Sequence, residues 1–192
     1  EYPEWLNENL DNELAVQIGK LSAQFFKKIP KAFFLPDGLI VAHGCVPHID
    51  ISSRLTSEED LNQKRALSDF VNARIDGRAK WGKDPNPESS THQLGHPEFD
   101  KFCVKATEIL GQPVQRMIKG HEHIPERYCI YEKKFPKWFT RSMLVINNMC
   151  VDQGTYGMGD APPCVARWRK GKPPEVHPVK IPSYLIEKIY PE

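Results

Sequence analysis

The sequence predicts an α/β fold, an α+β layered sandwich, on three observations. Apolar residues recur at helical spacing in several stretches, short β-rich apolar runs lie between and after them, and the segment order past the first helix reads β-β-α-loop-α-β-β-β. With 192 residues the chain suffices for one ordinary domain or for half of a larger one.

The elements follow in chain order. From Asn12 to Lys28, Leu14, Ile18, Leu21 and Phe25, with Phe26 beside them, make one apolar stripe, so an amphipathic helix is expected. "AFFLPDGLIVAHG" holds two apolar runs around Pro36-Asp37-Gly38, which predicts a tight hairpin whose second strand runs from Gly38 to Ala42 and ends on His43. Ser57 to Arg74 opens with a serine and acidic residues and carries Leu61, Ala66, Leu67, Phe70 and Val71, a second helix. Residues 77–97 are rich in Gly, Pro, Ser and Asn and read as a long loop, a kind of segment that is functional or disordered inside compact domains. A third helix is expected from about Glu98 to Leu110, followed by strands at "VQRMIKG", "RYCIYEK" and "SMLVINNM". Prolines cluster between Pro162 and Pro182, so residues 160–192 are expected to form an extended wrap with one strand at Cys164 to Arg169, because proline lacks a backbone donor and fixes φ.

Composition narrows the partners. A net charge of +1, from 26 basic and 25 acidic residues, gives no reason to expect a nucleic acid or an anionic membrane. No window approaches about eighteen consecutive apolar residues, and the N-terminus lacks the basic and apolar regions of a signal peptide, so a cytoplasmic location is expected. Cys45, Cys103, Cys129, Cys150 and Cys164 stand singly, without a C-x-x-C pair, and read as reduced, mostly buried thiols rather than a zinc ribbon or a disulfide framework.

Chemistry concentrates where two apolar runs end. "LIVAHG" and "RMIKGHEH" share one arrangement: a β-run, then histidine at or just past its carboxyl end, with glycine beside it. In α/β sheets, reactive centres gather at strand ends, where side chains from several strands converge on a rigid frame. In extended backbone, residues i and i+2 face the same side, so His121 and His123 are expected to project together with Glu122 turned away. Neutral imidazoles so placed suit Zn, Fe or Mn, at bonds of about 2.0–2.2 Å.

"GHEH" matches the G-H-x-H motif, and "LIVAHGCVPH" resembles the strand-His-Gly-Gly segment, of calcineurin-like metallophosphoesterases. The resemblance is closest to the protein serine/threonine phosphatase branch, with "VAHGC", "WGKDP" (Trp81 to Pro85), the helix near Phe99, "IKGH" and "INNMC" in that family's order over most of the chain. It implies the second half of a calcineurin-like αββα domain, and a metal-dependent phosphoric-ester hydrolase with two divalent ions, Mn, Fe or Zn, about 3.5–4 Å apart and a metal-activated water attacking phosphorus. By this resemblance His43 and His121 bind one metal and His123 the other, although the protein-phosphatase branch lacks the second histidine. The substrate is then a phosphoprotein, a nucleotide or a small phosphate ester.

The same families supply D-x-H, G-D-x-x-D and G-N-H-[ED] from the first half of the domain, and none of these is present; "GDAPP" at Gly159 comes after the last histidine motif. A bridging carboxylate holds two dications together against their repulsion, so the chain alone is expected to be inactive. It begins on Glu1 rather than Met, and residues 1–192 are expected to be the C-terminal portion of a single metallophosphoesterase domain, with a missing N-terminal half as partner. The phosphate-clamping arginine after W-x-D-P is also absent, leaving Arg74 and Arg78 as candidate phosphate ligands or as solvated helix-end cations. Met149 stands where the branch has the tyrosine of P-N-Y-C, leaving Tyr156 to take that role. His92 and His96 are candidate phosphate contacts or exposed loop residues, His48 a cleft-lining residue or a bystander, and Asp50 an acceptor for a ligand histidine or a turn residue. No role is assigned to His177. Two rivals stay open: a fold member kept as an interaction module without the metal site, and a mononuclear zinc protein using His43, His121 and His123.

Overall fold

The computed structural model describes residues 8–76, 93–147, 162–180 and 182. The chain divides into two compact units, Glu1–Pro30 and Lys31–Glu192. In the first, helix α1 (Asn12–Lys28) starts where the Asp11 carboxylate accepts the Leu14 N–H at 2.9 Å, and its last turn carries Lys27 and Lys28, the signs the helix dipole favours. Its bounds are those expected from the apolar stripe.

The second unit is mixed α/β. Its strands are β1 (Ala32–Leu35), β2 (Leu39–Ala42), β5 (Arg116–Lys119), β6 (Tyr128–Ile130) and β7 (Ser142–Ile146), in the sheet order β1-β2-β5-β7-β6. The central three run parallel, and the edge strands β1 and β6 run antiparallel to their neighbours. Gly38, at φ +83°, closes the β1–β2 turn through its N–H to the Leu35 carbonyl, a conformation glycine adopts without a Cβ clash.

One sheet face, represented by the rung Phe34–Ile40–Met117–Met143, packs into the core with Phe70, Phe99 and Phe102. Phe70 lies on helix α3 (Lys64–Asn72); Phe99 and Phe102 lie on helix α4 (His96–Leu110). Glu98 folds back on the Gly95 N–H at 2.6 Å to open α4, and Gly111 in left-handed backbone closes it.

Several expected elements are cut differently. The helix expected from Ser57 to Arg74 is broken at Gln63, whose extended backbone separates a 3₁₀ turn (Glu59–Asn62) from α3. The Asp60 carboxylate takes the N–H groups of Thr56 and Ser57, and that local capping wins over one continuous helix. Arg74 then starts strand β3 (Arg74–Asp76), which pairs in parallel with β4 (Gln93–Gly95). The expected loop 77–97 therefore ends in a strand and the first turn of α4, and its residues 77–92 lie outside the described residues. The "RYCIYEK" strand stops at Ile130 and continues as a short helix, α5 (Tyr131–Lys134). In the tail, β8 (Cys164–Arg167) pairs with a second strand, β9 (Glu175–Pro178), around Gly171 at φ +71°, where only one strand is expected from the prolines. Pro178 is tolerated at the end of this edge pairing. A further short helix, α2 (Ile49–Ser52), follows His48.

Cys45, Cys103, Cys129 and Cys164 are buried, the Cys164 thiol donating to the Arg127 carbonyl at 3.8 Å; Cys150 lies outside the described residues. Among the described residues no helix is long and apolar enough to cross a membrane.

Candidate functional site

The parallel strands β2, β5 and β7 end side by side, and the residues that follow them are His43, Gly120-His121 and Asn147. Both glycines are there because backbone or ring occupies the space a side chain would take. A Cβ at Gly44 would lie 2.6–2.8 Å from backbone atoms of Asp69, Val71 and Asn72 at the end of α3. A Cβ at Gly120 would lie 3.3 Å from His43 Nδ1, while the Gly120 N–H donates to the His43 carbonyl at 3.0 Å. The His-Gly and Gly-His pairs thus place the first imidazole over the second strand end.

The rings of His43 and His121 lie 5.2 Å apart, centroid to centroid, tilted by 57°. With metal–nitrogen bonds of about 2.0–2.1 Å, imidazoles sharing one tetrahedral ion have centroids roughly 5 Å apart. His121 Nε2 is buried and makes no hydrogen bond among the described residues. Burial holds the His121 imidazole down at about 4, with the Arg74 and Lys119 cations adding to it against Glu122. His43 is solvent-exposed as a residue, yet desolvation of its ring and the Lys119 cation lower its pKa as well. Both rings are therefore neutral at pH 7, with lone pairs available, and the orphaned Nε2 fits the chemistry of a metal ligand.

The backbone at His121 is unusual. Its φ is +70°, and the Glu122 N–H bonds to the Gly120 carbonyl at 2.9 Å, forming the strained hand of a γ-turn around a non-glycine residue. Arg127, six residues on, is also left-handed at φ +67°. Asn147 pins this loop from β7: its side-chain amide donates to the Glu122 carbonyl at 2.9 Å and its N–H to the Arg127 carbonyl at 2.7 Å.

The extended backbone expected from His121 to His123 is thus not found, since the strand ends at Lys119 and the chain turns at His121. His123 is exposed, and no three His, Cys, Asp or Glu side chains among the described residues form a group that could hold a metal. Glu122 does not point idly away. One carboxylate oxygen accepts the Ile75 N–H at 3.0 Å, and the other pairs with the ammonium of Lys119, a side chain with 0% exposure.

Arg74 sits close enough to His121 to depress its pKa, as one residue of β3 rather than a helix end. Arg78, His92 and Tyr156 lie outside the described residues, as do the "WGKDP" segment and Met149. His48 is buried: its N–H donates to Asp69 at 3.0 Å, its Nδ1 lies 3.5 Å from Asp50 and its Nε2 lies 3.8 Å from Glu98. Asp50 thus accompanies His48. His96 opens α4 with its ring 6.2 Å from that of Phe139, and exposed His177 lies 3.7 Å from Glu175.

Sequence reasoning passed over Lys119 and Glu122. The available signal was parity: Lys119 falls on the core-facing rung Ala32–Ala42–Lys119–Val145–Cys129, where a lysine implies a buried counter-charge. Searches of protein-family models and of curated proteins return no match to this chain.

Proposed function

We propose that this chain carries part of a metal-dependent phosphoric-ester hydrolase site of the calcineurin-like kind, closest to the protein serine/threonine phosphatases. The observation that carries the reading is the pair of neutral imidazoles, 5.2 Å apart at the ends of adjacent parallel strands, one with a buried nitrogen that has no hydrogen-bond partner among the described residues.

His43 and His121 would together hold one divalent ion, Mn, Fe or Zn. A bound divalent centre supplies Lewis-acid polarisation of the phosphoryl group and lowers the pKa of water. Arg74 supplies a guanidinium beside His121 able to bind phosphate in bidentate fashion, orienting the ester while the two imidazoles stay unprotonated. The family's carboxylate and asparagine ligands belong to D-x-H, G-D-x-x-D and G-N-H motifs that this sequence lacks. A second ion therefore requires ligands from another polypeptide segment, the N-terminal half of the αββα domain, and the chain by itself is inactive.

Metal analysis tests the reading. The 192-residue chain should take up one equivalent of Zn²⁺ or Mn²⁺, and His121→Ala should release most of it. Uptake unchanged in His121→Ala would overturn the assignment, and a further loss in His123→Ala would favour the three-histidine mononuclear site instead. Joined to a segment carrying the three missing motifs, the chain should hydrolyse a phosphopeptide or a dinucleoside polyphosphate, and the ratio of the two rates identifies the substrate class.

A further inference from the structure

We infer that Glu122 is a positioning residue of this site, its carboxylate fastening the His121 turn to the strand that presents Arg74. The inference rests on His43 and His121 being metal ligands. Four bonds from one residue carry it. The backbone N–H of Glu122 closes the strained turn around His121, and its carbonyl accepts the Asn147 amide from β7. One side-chain oxygen accepts the N–H of Ile75, the residue after Arg74, and the other is held by Lys119 on β5. Strands β3 and β5 and the residue just past the end of β7 therefore meet on a single residue, flanked in sequence by a histidine on each side.

The carboxylate also explains the buried lysine. Lys119 is fully enclosed, and an enclosed ammonium is stable only against a counter-ion. Lys119 fixes one oxygen of Glu122 and leaves the other directed at β3, so the ion pair acts as a strut between the strand bearing the imidazole and the strand bearing the guanidinium. Hydrogen-bond partners standing behind a metal ligand set its orientation, and their loss typically weakens metal affinity by about 10–100-fold.

The test separates the oxygen that Ile75 needs from the charge that Lys119 needs. In the full chain, Lys119→Met with Glu122→Gln removes both charges but keeps an acceptor for Ile75, whereas Lys119→Met with Glu122→Ala removes the acceptor too. Co²⁺ affinity and its visible spectrum should stay within about threefold of the unsubstituted chain in the glutamine variant and fall about tenfold or more in the alanine variant. The Ile75 amide should exchange slowly in the unsubstituted chain and the glutamine variant, and rapidly in the alanine variant. Equal affinities in the two variants overturn the inference, as does rapid Ile75 exchange in the unsubstituted chain, a measurement that stands even if the alanine variant fails to fold. If the unsubstituted chain takes up no Co²⁺, the metal reading fails by itself. Positioning is then decided on the metal-free chain, by whether the ¹⁵N shifts of the His121 ring move in the alanine variant and not in the glutamine variant.

Discussion

At the scale of single residues, His121 combines three costs: a left-handed backbone, a buried nitrogen without a partner among the described residues, and a depressed pKa. Such costs persist where surrounding structure imposes them, and they cluster at functional sites. The depressed pKa has a definite sign in stability. The unfolded imidazole takes its proton near 6.5 and the folded one near 4, so the unfolded state binds more protons between those values. The metal-free chain therefore loses stability as pH falls from about 6.5 to about 4, and this group adds nothing further below. Partial solvent exposure reduces the effect to on the order of 2 kcal/mol. Urea unfolding at pH 7 and pH 4.5 with chelator present should show a smaller pH effect in His121→Asn than in the unsubstituted chain; equal slopes would assign the acid sensitivity elsewhere. His43 and His121, whose rings the structure brings to 5.2 Å of each other, were legible in the sequence because each follows an apolar run and adjoins a glycine. His48, equally a histidine after a short run, is instead buried beside Asp69 and Glu98, and no local pattern separates the two cases.

At the scale of elements, the glycines distinguish stability from site geometry. At Gly44 the obstructing atoms are backbone of α3, which cannot move aside without shifting the helix, and the Gly44 N–H donates to the Phe70 carbonyl at 2.7 Å. Gly44→Ala should lower unfolding free energy by about 3 kcal/mol in urea titrations. At Gly120 the first obstruction is the ring of His43 at 3.3 Å, a side chain able to swing away. Gly120→Ala should cost less than about 1 kcal/mol of stability yet weaken metal uptake, because the displaced ring is itself a proposed ligand. Reversal of that ranking would show that His43 is held by something other than the glycine beneath it. The elements read best where one period ran unbroken, as in α1. They read worst where a side chain captured backbone donors, as Asp60 does before α3, because that competition depends on a single carboxylate and leaves the apolar stripe intact.

At the scale of the whole molecule, the sheet carries apolar residues on both faces. Phe34, Ile40, Met117 and Met143 face the core, and the next rung, Phe33–Val41–Ile118–Leu144–Ile130, is apolar across all five strands on the opposite side. Central parallel strands ordinarily have both faces covered, and runs such as "LIVA" and "MLVI", without alternation, are the sequence sign of it. That made the α/β class legible, whereas the strand order β1-β2-β5-β7-β6 depends on crossovers that no local pattern encodes. On this second face burial is uneven: Leu144 is enclosed, while Phe33 and Leu35 on the edge strand β1 are 52% and 40% exposed. An exposed apolar edge is a site for association between chains. Phe33→Lys should therefore leave the urea midpoint nearly unchanged, since the ring is half solvated already, and should reduce light scattering by concentrated or heated samples. A large loss of stability would mean that Phe33 contributes to the folded unit as a core residue does, and unchanged scattering would locate the sticky surface away from β1.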